Sequence, residues 1–237
     1  MQLVGPTQQS IESELHVIES LVTLDNAHIL ELGCGAADMT QQLVQGAPTV
    51  TITASEVDQI QHEKNLRLAI DRVRFKKFAA EAIDEPAHRF DGVMMFKSLH
   101  HVPLAQLDKS FSEICRVLKP GGWLYISEPV FAGAFNDVIR IFHDEEHVRR
   151  EAFSATERAV AGPDFELQAQ KFFKVRIKML NFQQFEDRLL NVTHTDHRLT
   201  DEQLAEVRRR FESNRSEAGY VFDVPMRVDV LRSVSSS

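Results

Sequence analysis

The run ILELGCGAADMT, Ile29 to Thr40, sets Glu31 just ahead of a glycine pair, Gly33 and Gly35. A glycine turn of this kind lets the backbone approach a bound ligand closely, with the next helix N-terminus facing it. The third glycine of the dinucleotide pattern is missing, and Glu31 argues further against a dinucleotide. A carboxylate beside the turn repels pyrophosphate, whereas an amino group pairs with it. Glu56 stands in the run VTITASEVD, Val50 to Asp58, 23 residues after Gly33 (56 − 33), where a carboxylate accepts from the ribose hydroxyls of an adenosine ligand. Asp58 is its rival, although it suits the cap of the following helix. The plainer alternative for Glu56 is an ordinary loop carboxylate.

His100 and His101 follow the fourth apolar run, and histidine titrates near the pH at which a general base must work. Glu128 leaves the fifth apolar run, on the side that opens to substrate in a doubly wound sheet. His143 and His147 are four apart and would share a helix face, which resembles a zinc-binding His-Glu-x-x-His helix. Asp144 stands in the glutamate's place and no third ligand follows nearby, so no metal is expected. His194 and His197 read as a solvent-facing pair. His101, Glu128 and His143 are therefore the candidate catalytic groups.

These residues need elements to hold them. Ile11, Leu15, Ile18 and Leu21 recur at helical spacing and predict an opening helix. Strands are expected at Ala27–Leu32, Thr49–Ser55, Arg74–Ala79, Phe90–Phe96 and Trp123–Ser127, with helices between them. Leu104, Leu107, Phe111, Ile114 and Leu118 mark the clearest helix, ended by a turn at Pro120-Gly121-Gly122. Two further strands are expected at Phe172–Leu180 and Val224–Leu231, with helices around Phe182–Leu190 and Asp201–Asn214. Ser233 to Ser237 reads as a frayed tail. The alternation predicts an α/β fold, a doubly wound, mostly parallel seven-stranded sheet covered on both faces.

Phe131 to Val160 interrupts that rhythm, with Phe135, Val138, Ile139 and Phe142 on one helical stripe. It reads as a helical cap over the site, placing His143 within reach of substrate. A single domain over 1–237 follows, its core at about 24–130 plus 165–233 and the cap at about 131–164.

Bulk properties narrow the function. The net charge of -8 lacks the clustered cations that phosphate binding needs, so no nucleic-acid partner is expected. Arg208, Arg209 and Arg210 fit the wet face of a late helix. Cys34 and Cys115 form no disulfide framework. Neither an apolar leader nor a run of roughly 20 apolar residues is present, so the expectation is a soluble, cytoplasmic chain with no membrane partner. The sequence leaves a homodimer open.

Taken together, ELGCG, Glu56, FDGVMMFKSLHHV and LDKSFSEICRVLKPGGWLYISEPV resemble the class I S-adenosylmethionine-dependent methyltransferases, in particular their type 11 small-molecule branch. The resemblance covers roughly Ile29 to Val130. It implies the Rossmann-like methyltransferase fold, S-adenosyl-L-methionine as cofactor and methylation of a small-molecule substrate. It also implies that Glu31 meets the methionine amino end, Gly33, Cys34 and Gly35 shape the turn, and Glu56 with Val57 holds the ribose end. Ala80 and Glu81 would flank the adenine, and Phe96 and Lys97 would face the methionine half. The chain departs from the family where many members carry an acidic residue at Ala79 or Ala80. Lys97 is a second departure, since small polar residues are common there. Two alternatives stand beside it: a non-catalytic S-adenosylmethionine-binding subunit or sensor, and a nicotinamide-dependent oxidoreductase on the same sheet, against which Glu31 and the missing third glycine argue.

Overall fold

The computed structural model describes residues 1–190, 199–217 and 219–234, so His194 and His197 lie outside the described residues. Five strands, β1 (His28–Leu32), β2 (Thr51–Ser55), β3 (Val73–Lys76), β4 (Phe90–Phe96) and β5 (Leu118–Pro129), form the parallel part of one sheet. Helices α2 (Asp38–Gly46), α3 (Gln59–Leu66) and α4 (Leu107–Val117) connect them. Strand β6 (Phe165–Met179) and strand β8 (Gly219–Ser233) complete the order β3-β2-β1-β4-β5-β8-β6, with β8 antiparallel to both neighbours. A two-residue strand, β7 (Arg215–Ser216), folds back on β8. The strand order reverses between β1 and β4, so their carboxyl ends open the crevice in which such sheets bind ligands.

Alternation along the strands fills two cores. Ile29, Ile52, Met94, Tyr125 and Val228 face one side, and Leu30, Leu32, Val93, Ile126 and Leu231 face the other. α4 packs its Phe111, Ile114 and Val117 stripe into the second core. The opening helix α1 (Glu14–Leu21) packs into the first through Val17 and Ile18.

Several boundaries differ from the sequence reading. Ser13 caps α1 by accepting from the His16 amide, so Ile11 falls outside the helix and pairs instead with Lys174. Pro120-Gly121-Gly122 does not separate α4 from the strand. It forms a bulge inside β5, whose register jumps from Phe90 opposite Leu118 to Gly92 opposite Trp123. β6 and β8 are each 15 residues long and pair out to Met179 opposite Tyr220. The longest parts beyond the expected bounds are Phe165–Lys171 of β6, where Glu166, Gln168, Gln170 and Lys171 dilute the apolar pattern, and Gly219–Asp223 of β8.

The segment after β5 divides between the two layers. α5 (Ala134–Ile139) buries Val138 in the first core, against α8 (Asp201–Glu212) and β8. α6 (Glu146–Ala161) buries Ala152 and Ala155 in the second core, against α4. Residues 140–145 therefore cross the carboxyl edge of the sheet. The short helix α7 (Phe182–Phe185) stacks Phe182 and Phe185 against Phe211 of α8. On α8, Arg209 and Arg210 pair with Glu206, and Arg208 lies over the Phe182 ring. No helix of the described residues is long and apolar enough to cross a membrane.

Candidate functional site

The glycine turn sits where β1 meets α2. The Gly33 and Cys34 amides both donate to the Ser55 carbonyl, at 3.0 and 2.9 Å, which ties the turn to the end of β2. Gly33 has φ +71°, and a Cβ there would lie 2.8 Å from Cβ of Ser98. Gly35 has φ +52°, and a Cβ there would meet nothing within 4 Å. The turn thus presses on protein at Gly33 and opens onto the cleft at Gly35.

Two carboxylates bracket it. Glu31 is 2% exposed, and its Oε2 accepts from the Thr40 hydroxyl at 2.6 Å. Burial pushes its carboxyl up to about 7, with the Thr40 bond pulling the other way. Among the described residues no ion pair joins Glu31, so a buried carboxylate waits for a cation. Glu56 takes the Gly35 amide on Oε2 at 2.8 Å and the Val57 and Asp58 amides on Oε1 at 2.8 and 2.9 Å. A carboxylate has about four lone-pair sites. Glu56 therefore closes the turn and still offers acceptor capacity to the cleft. Asp58, the rival, caps α3, its Oδ1 accepting from the Ile60 amide at 2.8 Å.

The other cofactor candidates surround the same edge. Val57 is exposed, while Ala80 packs its side chain into the second core and Glu81 is half-buried. Phe96 leans on Tyr125, and Lys97 is exposed in the left-handed region at φ +53°. The Cys34 thiol is buried, accepts from Asn65 and is pushed well above its ordinary range by burial, so it is no nucleophile.

The histidine candidates arrange differently from the expectation. Glu128 is 3% exposed, its Oε1 accepting from the Leu99 amide and its Oε2 bonded to His100 Nδ1. Both oxygens are engaged inside the protein, and Glu128 holds His100 in place. Burial opposes charge on His100, but Glu128 and Glu145 outweigh it and raise the imidazole to about 9. His101 is exposed at the mouth, its ring 4.1 Å from that of His100. Burial, then the charge of His100, hold His101 below its ordinary value. His143 precedes α6, so it shares no helix face with His147. It contacts Glu145 at 2.8 Å instead.

Sequence reasoning missed three groups. Glu145 sits between the two histidines that drew attention and turns inward. Thr40 carries no signal beyond its place on α2. Glu14 of α1 accepts from the Tyr125 hydroxyl at 2.8 Å, beside Lys97, with its carboxyl raised by burial. Only the docking of α1 brings it there.

Residues 29–122 match the methyltransferase domain family. That segment, which holds the bracketed turn and strands β1 to β4, is therefore similar to a methyltransferase domain. Among curated relatives, the ubiquinone biosynthesis O-methyltransferase of Leptothrix cholodnii is 31% identical over 128 residues, covering 52% of this chain and 53% of that protein. The sterol 4-C-methyltransferase strm-1 of Caenorhabditis elegans is 34% identical over 111 residues, covering 45% of this chain and 32% of that protein. The chain spans about half or less of the length of the curated relatives it matches. A Bacillus halodurans protein of known structure superposes with a TM-score of 0.66 at 18% identity, covering 94% of this chain and 100% of that one. At that identity the likeness speaks for the fold alone.

Proposed function

We propose that the protein transfers a methyl group from S-adenosylmethionine to a small-molecule acceptor. One observation carries the reading: an open glycine turn bracketed by two buried carboxylates, Glu31 and Glu56, at the carboxyl edge of the sheet. The fit is chemical. Glu31, without an ion-pair partner among the described residues, suits the ammonium of the methionine end, and the remaining lone-pair capacity of Glu56 suits ribose hydroxyls. Val57, Ala80 and Glu81 would border the adenine, and Phe96 and Lys97 the methionine half. S-adenosylmethionine supplies an electrophilic methyl group on a sulfonium when bound. The chain's part is to align the acceptor and exclude water, which can lower a barrier without a dedicated base. His101 and His143 border the acceptor side, and residues 131–145 wall it. The reading carries no nucleic-acid or membrane partner and places the protein in the cytoplasm.

Titration calorimetry is expected to give micromolar or tighter binding of S-adenosylmethionine and S-adenosylhomocysteine. Mass spectrometry of a small-molecule extract incubated with protein and S-adenosylmethionine is expected to show an acceptor gaining one methyl group. Slower hydrogen exchange across 136–147 with product bound would read the wall in the same sample. Binding of NADH in place of both ligands would sink the assignment in favour of an oxidoreductase. Tight binding with no methylated product would make the protein a cofactor-binding subunit or sensor.

Glu31 adds a pH signature. Its folded value of about 7 lies above the ordinary 4.5. Protonation is thus favoured in the unliganded fold, and this group's contribution to stability is complete below about 4.5 and lost as pH rises toward 7. A bound ammonium reverses the preference by stabilising the carboxylate. Binding at pH 6 is therefore expected to release a proton, read as a binding enthalpy that changes with the ionisation enthalpy of the buffer. Glu31→Gln should remove that dependence. Buffer-independent heats in the parent protein would show that no cation reaches Glu31.

A further inference from the structure

Beside the cleft, on the second-core side of the same edge, three imidazoles and two carboxylates converge. His100 and His101 come from the helical turn after β4, and Glu145 from the crossing segment before α6. The candidate ligand atoms of His100, His101 and Glu145 all lie within 4.8 Å of one another. His100 Nε2 is 3.4 Å from Glu145 Oε1. Two ligands on a tetrahedral ion with bonds of about 2.0–2.1 Å are about 3.3 Å apart.

The surroundings hold these atoms in place. Glu128 binds Nδ1 of His100, which directs Nε2 toward Glu145, the arrangement by which carboxylates orient metal-bound histidines. Arg149 takes Oε2 of Glu145 and leaves Oε1 facing the imidazoles. His143 Nε2 approaches the same Oε1 at 2.8 Å. His100, Glu128 and Glu145 are each less than one-tenth exposed, at 5%, 3% and 9%. Buried ionisable groups at this density need a compensating charge. In the protein alone a proton on His100 can provide it, and a divalent cation can do so with more bonds.

We propose that His100, His101 and Glu145 form a binding site for a divalent transition-metal ion of the zinc type, with Glu128 as the orienting partner. Two imidazoles and one carboxylate suit zinc-like ions, whereas magnesium and calcium prefer all-oxygen shells. Exposed His101 places the site at the mouth, which leaves a coordination position toward solvent or acceptor. The sequence reading expected no metal because it weighed His143 with His147. The residues that converge come from two distant parts of the chain. This site does not depend on the methyl-transfer reading.

The test uses the whole chain, stripped of metal by chelator and then titrated with Zn2+ or Mg2+, with elemental analysis after dialysis. One Zn2+ per chain is expected, with no retained Mg2+, and Co2+ should give the intense visible absorption of a tetrahedral site. His101→Ala leaves the core intact because the residue is exposed, and it should weaken Zn2+ at least tenfold. Glu145→Gln should do the same, and Glu128→Gln should weaken it about 10–100-fold through His100. His16→Ala, on the exposed side of α1, should bind as the parent does. Absence of stoichiometric Zn2+, preference for Mg2+, or parent-like affinity in His101→Ala would overturn the site. The cluster would then be a proton-bridged ion triad.

Discussion

Replacing Glu56 by alanine is expected to lower affinity for S-adenosylhomocysteine about a hundredfold and to destabilise the protein as well. Hydrogen bonds to a charged acceptor contribute about 1.5–3 kcal/mol each, so loss of those to the ribose removes about 3 kcal/mol, or about 100-fold. The second effect comes from the turn. The amides of Gly35, Val57 and Asp58 all donate to this one side chain and would lose their acceptor together. Glu56 is 9% exposed at the edge of the cleft. Water entering the vacated space can satisfy part of the deficit, and a stability loss of about 2 kcal/mol is expected. Glu56→Gln keeps one carbonyl acceptor and should lose less of both. Calorimetry and denaturant unfolding separate the two effects. Unchanged affinity in Glu56→Ala would remove the ribose role and make Asp58, whose cap on α3 uses only Oδ1, the better candidate.

The second large effect is expected at Gly33. Alanine there is forced to φ +71°, which costs about 1–2 kcal/mol for an L-residue. Its Cβ would also lie 2.8 Å from Cβ of Ser98, which can yield only by disturbing its 2.8 Å bond to the Leu32 carbonyl. A total loss of about 3 kcal/mol corresponds to a fall in Tm of roughly 6–12 °C for a chain of this size. Cofactor binding should fall at least tenfold, because the displaced turn carries the Gly35 amide and Glu56 with it. Gly35→Ala is the informative companion. It shares the strained φ but meets no protein atom within 4 Å, so its Tm should fall less while its binding still suffers. Equal stability losses in the two variants would mean that the turn does not press on Ser98 as described.

Much of the fold was legible because it rests on short-range patterns. β1 and β4 carry apolar runs, as strands covered on both faces do, β2 is rich in β-branched residues, and α4 has one clean apolar stripe. Glu31, Gly33, Gly35 and Glu56 were legible for a related reason. Each stands at the end of a parallel strand, and the sheet's topology alone brings those ends together.

The acceptor side was not legible in the same way. Whether Glu128 meets a ligand or a neighbour depended on His100, which comes from another strand end. Whether His143 pairs with His147 depended on where α6 starts, and a start at Glu146 turned Glu145 inward in their place. Glu14 reached Tyr125 only through the packing of α1 on the first core. The sequence by itself determined the doubly wound sheet, the glycine turn and its two carboxylates, because strand periodicity and strand-end placement are properties of local spacing. Only the tertiary structure decided the partners of His100, Glu128, Glu145 and Glu14. Those contacts join residues far apart in the chain, and no spacing rule encodes which buried charge meets which.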